Sequence, residues 1–114
     1  MNTTACKQPE YTVYVVELRA AVLSVGRFAE ANPAYVYEAS RPPIYVGMTA
    51  HTPEKRFEQH RNGYKASRYT RDHAIRLRMD LAGELTFSTR AEAEAAEGLL
   101  ANVLRSRGYA VWPN

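Results

Sequence analysis

A chain of 114 residues, 46% hydrophobic and 24% charged, is one domain with room for a modest core, and it contains no apolar run long enough to span a membrane. Its one cysteine, Cys6, excludes an internal disulfide and a cysteine zinc cluster within one chain. The net charge of +3 is uneven, residues 51–78 carrying eight Lys/Arg against three Asp/Glu; such an excess attracts polyanions such as phosphate, but is also the composition of a solvated basic face.

Residues 1–9 are polar and lack the apolar core of a signal peptide, so they are expected to be a lead-in to a cytoplasmic protein. Tyr11 to Leu18 is dense in β-branched and aromatic residues and predicts a first strand with Tyr14 in its middle. Residues 19–43 predict one or two helical turns ended by Asn32-Pro33, with Tyr35-Val36-Tyr37 extended. So long a connection in a compact domain covers a sheet edge, the expected role, or touches a substrate. Ile44-Tyr45-Val46 predicts a second strand that delivers Tyr45 to Gly47, where the backbone is expected to turn and to approach a ligand closely.

A short helix follows with both ends marked. Thr52 is its N-cap, Pro53 its first residue, and Asn62-Gly63 closes it. Arg56 and His60 lie four apart on one face of it, ~6 Å along the axis, so one anion can touch both. A helical histidine taken alone is more often structural, and His51 and His73 have no motif around them. Tyr64 to Arg71 interleaves bases with aromatics, and Ser67 can cap a short helix to about His73 with Lys65, Arg68 and Arg71 on one flank. That mixture suits a phosphate backbone with exposed bases; the competing reading has Tyr69 packed inward and the arginines merely solvated.

Ala74 to Met79 alternates apolar residues with arginine and predicts a third strand with one wet face. Thr89 and Glu92 form a capping box that opens a helix to about Arg107, stopped by Gly108. Its apolar stripe of Ala93, Ala96, Leu100, Val103 and Leu104 is expected to face the sheet, with Glu97 on the inward margin and Glu94 further toward solvent. A carboxylate in that position must be paired or bound to a metal. Tyr109 to Trp112 predicts a last short extended piece whose Trp112 closes the core.

Taken in order, Thr12-Val13-Tyr14, Tyr45-Val46-Gly47, Arg56, His60 and Glu97 resemble the motifs of the GIY-YIG endonuclease superfamily. The resemblance covers most of residues 11–112, apart from an insertion at 19–43 that separates the two tyrosines by 31 positions where the superfamily has a tight hairpin. It implies a single α+β domain over residues 1–114, with a small, mainly antiparallel three-stranded sheet flanked by helices. It also implies a metal-dependent endonuclease that hydrolyses phosphodiester bonds in nucleic acid, with DNA the expected substrate. Glu97 would hold one divalent ion, Mg²⁺ or another such as Mn²⁺, and Arg56 would stabilise charge on the phosphate. Tyr14 or Tyr45 would activate the water, the sequence leaving open which, and His60 would accept the tyrosyl proton or contact phosphate. Lys55, Lys65, Arg68 and Arg71 are the candidate nucleic-acid contacts. An ordinary tyrosine is ionised to only about one part in a thousand at pH 7, so the environment is expected to lower its pKa.

Two departures keep other classes open. The first triplet is altered, and Ala110 stands near the point where members of the superfamily often place an asparagine, for which Asn114 is a poorly held substitute. A nucleic-acid-binding module of the same fold without cleavage is the alternative, and an interaction domain with no nucleic-acid role is a third.

Overall fold

The computed structural model describes residues 10–63, 68–83 and 85–113. Five strands form one mixed sheet among them: β1 (Tyr11–Leu18), β2 (Ile44–Thr49), β3 (Ala74–Leu77), β4 (Thr86–Phe87) and β5 (Val111–Pro113). The order is β3-β1-β2-β5, with β4 pairing the start of β1; every pairing is antiparallel except β2 with β5. The fold is therefore α+β. The three expected strands are present, the extended piece expected at Tyr109 to Trp112 joins the sheet as β5, and β4 is an addition whose two residues are too short to carry a periodic signal.

The alternation of β1 and β2 sorts their side chains onto two faces. Val13, Val15, Ile44, Val46 and Met48 pack against Ala93, Ala101 and Leu104 of α5 (Arg90–Ser106). Tyr14, Val16, Leu18 and Tyr45 point the other way and pack with Val22, Phe28 and Tyr69. That second face is covered by a 3₁₀ turn (Ala20–Ser24), α1 (Gly26–Ala31), α2 (Pro53–Arg61) and α3 (Arg68–His73). Trp112 closes it, stacked on Phe28 at 6.3 Å and edge-on to Tyr69 at 4.8 Å. Tyr69 thus packs inward.

The 19–43 segment covers a sheet edge. The side-chain amide of Asn32 donates to the carbonyl of Val111 (3.1 Å) and its oxygen accepts from the Val111 N–H (2.9 Å), which occupies the outer edge of β5 as a neighbouring strand would. Arg105 donates to the same Asn32 oxygen (3.0 Å) and to the Val111 carbonyl (2.9 Å). Tyr35 to Tyr37 joins no strand, contrary to its composition, while Asn32 occupies the outer edge of β5.

Helix ends follow their local signals. Thr52 accepts from the Lys55 N–H and Thr89 from the Glu92 N–H, each at 3.1 Å, and Gly63 adopts the left-handed φ of 82° that ends α2. The predicted third strand stops at Leu77, where the chain turns into the short helix α4 (Met79–Ala82). Among the described residues no helix is long and apolar enough to cross a membrane.

Candidate active site

Register places Tyr14 of β1 opposite Gly47 of β2, with Tyr45 two residues away on the same face. Gly47 is not a turn: it lies inside β2 and is not among the glycines with positive φ. It is glycine because the Tyr14 ring lies across it. A Cβ there would meet the Tyr14 phenol oxygen at 2.7 Å and its Cζ at 2.8 Å, closer than packed atoms approach.

His60 enters this space from α2. Its ring centroid is 5.8 Å from that of Tyr14 and 5.5 Å from that of Tyr45, and its Nε2 lies 2.6 Å from the Tyr14 phenol oxygen. The other ring nitrogen, Nδ1, lies 2.8 Å from Oγ1 of Thr70 on α3. Thr70 is fully buried, and sequence reasoning missed it. The only available signal was that a buried helical histidine needs a partner at each ring nitrogen, which names no position.

Arg56, one turn before His60, is half-buried and hydrogen-bonds Gln59 at 3.1 Å. It also acts on the phenols. Burial pushes Tyr14 up to about 12, while the charge and hydrogen bond of Arg56 and a hydrogen bond from Tyr45 pull it down. Tyr45 is raised as well, first by burial and then by Tyr14 and Glu97, with Arg56 opposing. The expected lowering of a tyrosine pKa is therefore reversed: Arg56 acts in the anticipated direction, but desolvation of phenols that are 1% exposed outweighs it. His60 is lowered to about 4 by burial and by Arg56, so it is neutral at pH 7 and carries one N–H.

Glu97 approaches from another direction. It sits in the centre of the α5 stripe with Ala93, Ala101 and Leu104, not on its margin, whereas Val103 turns out to solvent. That stripe packs on the Val13–Val15 face of the sheet, opposite the phenols. Its charge nevertheless raises both tyrosines, so the carboxylate is within electrostatic reach of them. Glu97 is 5% exposed, and its Oε2 is buried with no hydrogen-bond partner among the described residues. Burial, and then Glu94, push its carboxyl up to about 7. An under-bonded carboxylate oxygen is a ligand type that a divalent cation takes, but with Oε2 buried a hydrated ion reaches Glu97 only if the site opens. No group of three or more His, Cys, Asp or Glu side chains that could cage a metal occurs among the described residues.

The nucleic-acid candidates are placed in part. Lys55 on α2 and Arg71 on α3 are exposed, Arg71 pairing with Asp72 at 3.0 Å. Lys65 and the capping Ser67 lie outside the described residues, as do the side chain of Arg68, Asn114 and residues 1–9 with Cys6. Ala110 is fully buried, and the buried asparagine of that region is Asn32, engaged with β5. A cleft of about 480 Å³ lies between the 32–41 loop and the end of α5, lined by Asn32, Tyr35, Arg41, Arg105 and Tyr109, and shares no residue with the phenol cluster. Comparison of the chain with protein-family models, with curated proteins and with solved structures returns no match.

Proposed function

We propose that the chain is a metal-dependent endonuclease of the GIY-YIG type its motifs resemble, hydrolysing phosphodiester bonds in nucleic acid, with DNA as the expected substrate. The observation that carries this is the convergence of Tyr14, Tyr45, His60 and Arg56 over a glycine that no other residue can replace without displacing Tyr14. The antiparallel β3-β1-β2 unit with helices on both faces supports a GIY-YIG-like architecture within the larger sheet.

Each group has a task that suits its chemistry. The forked, permanently charged guanidinium of Arg56 pairs with phosphate oxygens and stabilises charge that grows there in the transition state. Tyr14 is the better candidate to take a proton from water, because Arg56 and Tyr45 both hydrogen-bond its oxygen and His60 stands 2.6 Å away to receive its proton. Tyr45, whose hydroxyl is spent on Tyr14, orients it. Glu97 would hold the divalent ion, Mg²⁺ or Mn²⁺, which when bound supplies Lewis-acid stabilisation of the phosphoryl oxygens. With Tyr14 at about 12, ionising it at pH 7 costs roughly 7 kcal/mol in the ligand-free molecule. Burial is the largest cause, so exposure of the phenol on substrate entry is what brings that barrier down.

The same burial favours a second function, the nucleic-acid-binding module without cleavage. Tyr14 and Tyr45 are 1% exposed and His60 is fully enclosed, as befits a hydrogen-bonded cluster that only pins α2 and α3 to the sheet. Supercoiled plasmid incubated with purified protein and Mg²⁺, with and without chelator, separates the two. A nuclease nicks it in a chelator-sensitive way, and both Arg56→Ala and Glu97→Ala abolish nicking. Wild type that nicks no more than these variants leaves binding alone, and binding that ignores salt removes the nucleic-acid role altogether.

A further inference from the structure

The phenol and imidazole contacts have a direction. At 2.6 Å from His60 Nε2 the Tyr14 hydroxyl is the donor, because a phenol O–H is a far stronger acid than the N–H of a neutral imidazole. A neutral imidazole whose Nε2 accepts carries its single proton on Nδ1. That N–H faces Thr70 Oγ1 at 2.8 Å, in a space closed to water because both residues are fully buried.

We propose that Thr70 is a positioning residue that selects the Nδ1–H tautomer of His60 and so keeps Nε2 bare as the proton acceptor for Tyr14. The step this prepares is one proton transfer: the Tyr14 O–H bond breaks, an Nε2–H bond forms, and the resulting imidazolium keeps its Nδ1–H on Thr70. The opposite tautomer would turn Nε2–H toward Tyr14 and leave no acceptor for the phenol proton. Thr70 belongs to α3 and His60 to α2, so this one hydrogen bond also fixes the site to the packing of two helices. The inference rests on the hydrolase reading for its role in catalysis, but not for the tautomer itself.

Nitrogen-15 histidine spectra of the intact protein at pH 7 test it, with His60 assigned by removing His51 and His73 in turn. Wild type and Thr70→Ser are expected to show a protonated Nδ1 and a bare Nε2, and Thr70→Val to lose that preference. In the plasmid assay Thr70→Val is expected to lower kcat at least about tenfold with KM unchanged, and Thr70→Ser to stay within about threefold of wild type. A wild-type Nε2–H tautomer overturns the proposal, and so does a folded Thr70→Val protein with the wild-type tautomer. If Thr70→Val does not fold, Thr70→Ala, which also removes the hydroxyl, takes its place, and a wild-type tautomer in that folded variant likewise overturns the proposal. Absence of nicking together with the expected tautomer sinks the hydrolase reading while the assignment to Thr70 stands.

Discussion

Two buried titratable groups oppose one another across the acid range. His60 is held near 4, against an ordinary 6.5, so its contribution to stability is complete above 6.5 and is lost as the pH falls toward 4. Glu97 is held near 7, against 4.5, so its contribution is complete below 4.5 and is lost as the pH rises through 7. Each is worth roughly 3 kcal/mol at ~1.4 kcal/mol per pH unit, and between 4.5 and 6.5 they largely cancel. Urea unfolding across pH 4 to 8 is therefore expected to show Glu97→Gln gaining stability, relative to wild type, as pH rises, and His60→Gln losing it. Parallel profiles for both variants and wild type would refute the assigned burial. Gly47→Ala is a sharper probe of the same cluster. The new methyl group must push Tyr14 off His60, so a loss of about 1–3 kcal/mol in denaturant titration is expected. An unchanged midpoint would mean that the ring does not lie across β2.

At the scale of elements, the insertion is held by one side chain. Asn32 completes the outer edge of β5 and also receives Arg105 from α5, so Asn32→Ala leaves the buried Val111 N–H and the guanidinium short of an acceptor. Removing one partner of buried polar groups costs about 1–3 kcal/mol, and hydrogen exchange should accelerate in β5 before it does in β1. Equal protection of both strands in the variant would show that β2 alone secures β5. Helix α5 needs no such clip. Its capped start at Thr89 and its buried stripe carry the ordinary local and packing terms, and the exception is the charge placed at the stripe's centre, Glu97.

On the scale of the whole molecule, the two faces of the sheet divide the labour. One face builds an aliphatic core beneath α5, and the other places its aromatic residues, and the basic α2 and α3 above them, around the phenols. Of the stretch 51–78 with its excess of positive charge, the helices α2 and α3 cover that second face. Binding to a short duplex or single strand should therefore weaken steeply with salt, and Lys55→Ala should make the slope of log K against log salt shallower by about one. An unaltered slope would place the nucleic acid elsewhere on the surface.

The long strand β1, the capped helices α2 and α5 and the closing role of Trp112 were legible in the chain itself. Each rests on local chemistry, namely alternation, a hydroxyl cap or an apolar stripe, that neighbouring residues express without help. The reason for Gly47, the raised phenols, Thr70 and the side of the sheet from which Glu97 arrives were not. They depend on which strands lie in register, on how much water a packed face excludes and on which helix crosses above. These are distances between residues far apart in the chain, and no local pattern encodes them.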